Sequence, residues 1–126
     1  MKTKKYTLIT GASTGLGKEL AEECARLGKN LILTALPGED INPLGEYFAE
    51  KYNVKVRAFE TDLTKLGAVE YLVDKIHEIE IEIEILINNA GVGGTRSFLE
   101  ATLEYIDRIV MLNMRALVLL TRLLLP

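Results

Sequence analysis

The stretch Tyr6-Thr7-Leu8-Ile9-Thr10-Gly11-Ala12-Ser13-Thr14-Gly15-Leu16-Gly17 decides the fold of this chain. Its first five residues form a short β-rich run that Gly11 ends. From Leu16 to Leu27 apolar residues recur at Leu20, Cys24 and Leu27, the spacing of one helical face. The unit is strand, tight turn, helix. Gly11 permits the turn, Gly15 lets the backbone approach a pyrophosphate with no Cβ in the way, and Gly17 lets helix pack against strand. Unpaired helix N–H groups and the positive dipole end converge at such a turn. The dipole contributes about 0.3–1 kcal/mol toward an anion, and each charge-assisted hydrogen bond about 1.5–3. Glycines alone are a weak signal, so the rest of the chain has to agree.

It does. Gly28 is placed to close the first helix in a left-handed cap, and Leu31-Ile32-Leu33 is a continuous apolar run, as expected of a strand covered on both faces. Asn42 before Pro43 predicts a helix start with proline at the first helical position, running to Tyr52. Val54 to Phe59 reads as the third strand. Thr64 is a candidate cap for a helix whose buried face is Val69, Leu72, Val73 and Ile76. Ile83 to Ile87 is the fourth strand, and the acidic alternation Glu78 to Glu84 before it reads as mostly loop. From about Leu99 to Leu125 the pattern is helical again. It begins amphipathic at Leu103, Ile106 and Val110, and becomes apolar nearly all round from Ala116, as in a helix covered on more than one side. Strands alternating with helices over short links predict one α/β domain over residues 1–126. Its expected architecture is a doubly wound parallel sheet of about four strands with helices on both faces.

Composition bounds the function. With 126 residues and 48% hydrophobic content, one core is expected rather than two. Fifteen basic and 18 acidic residues are interspersed for a net charge of −3, which leaves no broad positive surface for a nucleic acid. Cys24 is the only cysteine, so a disulfide framework is excluded within one chain and a reducing cytosol fits best. The apolar run after the N-terminal lysines is too short for a secretion signal, and Lys2, Lys4 and Lys5 read as solvated surface. Ala116 to Leu125, interrupted by Thr121 and Arg122, falls well short of the roughly 20 residues that span a bilayer, so no membrane is expected. His77 is the only histidine, which leaves no His-rich metal site, and no metal is expected.

Thr10-Gly11-Ala12-Ser13-Thr14-Gly15-Leu16-Gly17 resembles the TGxxxGxG loop of the short-chain dehydrogenase/reductase family, and Asn88-Asn89-Ala90-Gly91 at the end of the fourth strand resembles a second signature of that family. The resemblance covers essentially the whole chain and implies a Rossmann-type doubly wound parallel sheet, partial, with the strand order 3-2-1-4. It implies a nicotinamide cofactor, NAD or NADP, and in the full-length protein a small carbonyl or alcohol substrate. Cofactor contacts are implied for Gly11, Ser13, Thr14, Gly15, Leu16 and Gly17 of the loop, for Leu36 after strand two, for Asp62 and Leu63 after strand three, and for Asn89, Ala90 and Gly91. Asp62 is similar to the family's acceptor for the adenine amino group, with a helix-capping aspartate as the plainer alternative. Asn113, in Met111-Leu112-Asn113-Met114, matches the family's catalytic-helix asparagine, which helps hold a water beside the catalytic lysine; an asparagine packed into an apolar helix is the alternative.

The family's catalytic serine and Tyr-x-x-x-Lys would fall after Pro126, so the chain as given is expected to be inactive. Tyr47 with Lys51 and Tyr71 with Lys75 also spell Tyr-x-x-x-Lys, but on crossover helices away from the strand ends where ligands bind in such sheets. Cofactor choice stays open. Leu36 stands where an acid usually grips the ribose, Glu39 and Asp40 would repel a phosphate if they reached it, and Thr14 stands where a base is often found in NADP-using relatives. The alternative to an oxidoreductase half is a non-catalytic nucleotide-binding or interaction module. A homo-oligomer is expected on either reading, to cover the last helix and the outer strand edge.

Overall fold

A computed structural model describes residues 4–91 and 97–126. Four parallel strands, β1 (Lys5–Ile9), β2 (Asn30–Ala35), β3 (Val56–Glu60) and β4 (Glu82–Ile87), form one sheet in the order β3-β2-β1-β4. Helices α1 (Gly15–Arg26), α2 (Ile41–Tyr52) and α3 (Ala68–Glu78) connect them. A last helical rod comprises α4 (Leu103–Val110), a π-helical segment (Met111–Ala116) and α5 (Leu117–Leu124).

The apolar runs sort onto two faces because a strand sends alternate side chains to opposite sides. Tyr6, Leu8 and Ile32 join Val69, Leu72, Val73 and Ile76 of α3 and Leu120 of α5. Ile9, Leu31 and Leu33 join Ala21 and Ala25 of α1 and Phe48 of α2 on the other face. Helices therefore cover both faces, as the sequence predicts. Gly45 sets the approach of α2 to β3, since a Cβ there would stand 3.1 Å from Val56 Cγ1. The end of α1 follows the sequence reading too. Gly28 has φ +81, its N–H donates to the Ala25 carbonyl at 2.9 Å, and Lys29 N–H reaches Cys24 at 3.0 Å, the paired bonds of a Schellman cap.

Several boundaries differ from expectation. Helix α2 begins at Ile41 behind Asp40, which has φ 56, so Pro43 occupies the third helical position and not the first. That position still lacks an intrahelical acceptor, so the missing N–H costs nothing there. Thr64 caps no helix: α3 starts at Ala68 behind Gly67 at φ +81. Strand β3 starts at Val56, two residues later than its pattern. The acidic alternation is partly strand, because β4 begins at Glu82. The register against β1 slips there, with Tyr6 opposite Ile83 and Thr7 opposite Ile85, so Glu84 is the extra residue. Glu84 meets Lys29 at 3.3 Å.

The final helix corrects the sequence reading most. It starts at Leu103, where Thr102 Oγ1 accepts from Tyr105 N–H at 3.1 Å, and no residue of α4 is buried. Only one side of α5 is covered. Leu120 is buried, while Val118 is 59% exposed. The face expected to be covered lies open in the single chain, and no described strand pairs with the outer edge of β4. Lys4 and Lys5 are exposed as expected, and Lys2 lies outside the described residues. No helix among the described residues is long and apolar enough to cross a membrane.

One core residue is at odds with its surroundings. Thr7 on β1 is fully buried, and its hydroxyl has no hydrogen-bond partner among the described residues. An unpaired buried polar group costs about 1–3 kcal/mol. Thr7→Val is therefore expected to stabilise the chain by about 1 kcal/mol, seen as a higher urea midpoint at unchanged slope. A lower midpoint would show that the hydroxyl does have a partner.

Candidate functional site

Because the strands are parallel, their C-terminal ends lie along one edge, and the loops that leave them enclose a cleft of about 260 Å³. Gly11, Ser13 and Thr14 follow β1, Leu36 follows β2, Asp62 and Leu63 follow β3, and Asn89, Ala90 and Gly91 follow β4; all of them line it. The position is the one physical chemistry favours in open α/β sheets, beside the strand where the direction of winding reverses.

The glycine-rich turn is held in place by the end of β4. Thr10, buried, accepts through its hydroxyl from Asn89 N–H at 3.0 Å and from Ala90 N–H at 2.9 Å, and its own N–H donates to the Ile87 carbonyl at 3.1 Å. The Asn89 side chain donates to the Gly11 carbonyl at 3.0 Å. Asn88 reaches the other way, donating to Thr121 Oγ1 of α5 at 3.2 Å. The Asn88-Asn89-Ala90-Gly91 segment thus ties the turn to the sheet and the sheet to the last helix.

Within the turn each glycine has a separate task. Gly11 has φ +63, and a Cβ there would stand 2.9 Å from Ala90 Cα. Gly17 admits no Cβ either, since one would stand 2.1 Å from the Gly11 carbonyl oxygen and 2.4 Å from Asn89 Nδ2, so its close neighbours are the turn and the residue after β4 and not the strand that the sequence suggests. Gly15 is different: at φ +57 it faces open space. Helix α1 begins at Gly15, directly after Thr14 of the cleft wall, with no side-chain bond from its N-cap residue and no acidic residue in its first turn, so the positive end of its dipole adjoins the cleft. Leu16 is exposed and, like Gly15 and Gly17, forms no part of the cleft wall.

Asp62 accepts from Thr64 N–H at 3.0 Å and from Thr64 Oγ1 at 2.6 Å, a local turn and not a helix cap. Burial pushes its carboxyl up, but these two bonds and the charges of Arg108 and Lys65 outweigh burial and hold it below the usual value, so Asp62 is an anion at neutral pH. Asn113 lies in the π-helical segment, and its side-chain oxygen is so close to Gly91 that a Cβ there would stand 3.2 Å from it. Such π segments recur at functional sites. Asn113 is beside the cleft and Leu112 forms its wall.

Sequence reasoning missed Thr34, Ala35, Thr61, Arg108 and Leu112 as cleft residues, and left Glu39 conditional. The two threonines close strands or open loops, and their types carry no signal. Arg108 arrives from α4, far along the chain. Neither Tyr-x-x-x-Lys pair enters the cleft: Lys51 donates to Tyr47 at 3.1 Å on α2, and Lys75 lies over the Tyr71 ring on α3. Among the described residues no group of three or more His, Cys, Asp or Glu could hold a metal.

Comparison with known proteins gives the same picture. The family model described as short chain dehydrogenase matches residues 5–126. The chain belongs to the short-chain dehydrogenase family. Among curated relatives it is 30% identical over 118 residues to the 3-oxoacyl-acyl-carrier-protein reductase of Aquifex aeolicus, covering 94% of this chain and 48% of that protein. To the very-long-chain 3-oxoacyl-CoA reductase of Vanderwaltozyma polyspora it is 35% identical, covering 99% of this chain and 37% of that one. Among solved structures, a short-chain dehydrogenase from Sphingobium yanoikuyae in complex with NADPH superposes at TM-score 0.84 with 34% identity, covering 96% of this chain and 47% of that one. The L-sorbose reductase of Gluconobacter frateurii, complexed with NADPH and L-sorbose, does so at 0.88 with 30% identity, covering 97% and 46%. This short-chain dehydrogenase family member therefore spans about half the length of the relatives it matches.

Proposed function

We propose that the chain is the cofactor-binding part of a cytosolic nicotinamide-dependent oxidoreductase that moves hydride between NAD(H) or NADP(H) and a carbonyl or alcohol substrate. The observation that carries this reading is the uncapped start of α1 behind Gly15, opening on a cleft walled by all four strand ends. That donor set fits a pyrophosphate, because backbone N–H groups and the helix dipole meet an anion with no side chain between. The Asp62 carboxylate, ionised and held by Thr64, fits an adenine amino group as its donor. When bound, the nicotinamide supplies or takes the hydride.

This chain's part is to hold and orient. Asn89 fixes the turn through the Gly11 carbonyl, Thr10 fixes the backbone of Asn89 and Ala90, and Asn113 stands against Gly91 at the exit of β4. Among the described residues the cleft wall contains no tyrosine, lysine or histidine, so proton transfer to a carbonyl is not built from it.

Titration of the purified chain with NADH and with NADPH, followed by fluorescence, tests the reading. Saturable binding of at least one is expected. Gly15→Ala places a methyl group in the open space before α1 and is expected to weaken that binding roughly tenfold, beside about 1–2 kcal/mol of strain at its positive φ. Absence of saturable binding by both dinucleotides would overturn the proposal.

A further inference from the structure

The loop between β2 and α2 brings a carboxylate to the cleft although the expected position lacks one. Leu36 stands where dinucleotide-binding folds usually set an Asp or Glu for the ribose hydroxyls, and its side chain can neither donate nor accept. The chain then turns back on itself. Glu39 N–H donates to the Leu36 carbonyl at 3.3 Å and Gly38 has φ +88, which with Pro37 before it is the geometry of a type II turn. That turn ends on Glu39. Its carboxylate lines the same cleft as Leu36 and accepts a hydrogen bond from the Ser13 hydroxyl of the glycine-rich turn.

The contact joins the loop after β1 to the loop after β2, and both residues line the cleft. Ser13, Thr14, Thr34, Ala35 and Leu36 contribute no positive charge there. The one cation in the described cleft wall is Arg108, from α4, whose charge acts on Asp62 after β3. The electrostatics are therefore one-sided: among the described residues around it, the carboxylate has no counter-ion.

We propose that Glu39 is the residue that sets cofactor choice, accepting from the adenosine ribose hydroxyls and rejecting a 2′-phosphate, so that the chain prefers NAD(H) to NADP(H). The inference rests on the dinucleotide reading above. A carboxylate has about four lone-pair sites, so the Ser13 bond leaves it able to accept from a hydroxyl pair while fixing where it points. A phosphate at that place would bring roughly 1.5 to 2 further negative charges against it, with no base among the described residues of the two loops to offset them. The two solved relatives described above hold NADPH, so this feature would set the present chain apart from them.

The experiment is parallel titration of the full chain and its Glu39→Gln, Glu39→Arg and Ser13→Ala variants with NADH and NADPH, reading the ratio of the two dissociation constants. The unsubstituted chain should bind NADH at least about tenfold more tightly than NADPH. Glu39→Gln should bring the ratio close to one by strengthening NADPH binding, Glu39→Arg should reverse it, and Ser13→Ala should move it part of the way. High salt should shrink the preference of the unsubstituted chain, because the repulsion is between exposed charges. A merely structural role for Glu39 would alter both affinities together and leave their ratio unchanged, and that result, or a preference of the unsubstituted chain for NADPH, overturns the inference while the dinucleotide reading stands. Binding of neither dinucleotide by the unsubstituted chain overturns both.

Discussion

Gly17→Ala is expected to destabilise the chain by about 3 kcal/mol or more, at or beyond the upper end of ordinary overpacking. In most helices the same exchange is stabilising, by roughly 0.5–1 kcal/mol, because alanine loses less backbone entropy. The sign reverses here for a steric reason. The new methyl would stand 2.1 Å from the Gly11 carbonyl oxygen and 2.4 Å from Asn89 Nδ2, inside the hydrogen bond those two atoms make. Gly11 has no free path of retreat, since its own Cα is packed against Ala90. For a chain whose total stability is of the usual order, about 5–15 kcal/mol, this is a large fraction. Urea denaturation of Gly17→Ala beside Gly15→Ala checks it, because both replace a glycine in the first turn of α1 by the same residue and only Gly17 is crowded. Equal midpoints for the two variants would show that the close approach of turn and helix has been misread.

The second large effect concerns Thr10→Val, which keeps the shape of the side chain and removes its hydroxyl. Two backbone N–H groups rely on that oxygen, but not equally. Asn89 N–H also reaches the Ile87 carbonyl at 3.0 Å, whereas for Ala90 N–H the Thr10 hydroxyl is the acceptor identified, at 2.9 Å. The expected loss is therefore that of about one unsatisfied donor, roughly 1–3 kcal/mol, and not of two. Hydrogen exchange locates it: the Ala90 amide should lose protection by up to about a hundredfold while amides in the middle of β2 change only with global stability. Protection at Ala90 unchanged from the parent chain would mean that another acceptor serves it. Because Ala90 lines the cleft, dinucleotide affinity should fall together with that protection.

Much of this architecture was legible because it depends on short-range rules. The alternation of apolar strands with helical faces marks four strands and three connecting helices, and parallel pairing with helices on both faces then follows from the connections. The glycine turn was legible because the backbone at Gly11 and Gly15 takes positive φ, a conformation that glycine adopts without strain. The buried face of α3 was readable residue by residue, since a 3.6-residue period leaves only one set of positions inward. Helix starts were less so. Asn42 and Thr64 are of the right type to cap, yet Asp40 and Gly67 flank the helices instead, because a loop's path between sheet and helix is set by packing at both ends and not by one polar residue.

By itself, then, the sequence determined the class of fold and the phosphate-type turn, which follow from local conformational preference and periodic burial, while the strand order and most of the residues gathered at the strand ends were legible through the family resemblance of its two motifs. Only the tertiary structure decided how those residues are used. It showed that Asn89 spends its side chain on the Gly11 carbonyl, that Arg108 reaches Asp62 from a distant helix, that α5 leaves an apolar face open, and that a Pro37-Gly38 turn carries Glu39 to Ser13. Each of these is a contact between segments far apart in the chain. Residue type and spacing limit which partners are chemically able to meet, but the distance between them is settled by how the whole sheet and its helices pack.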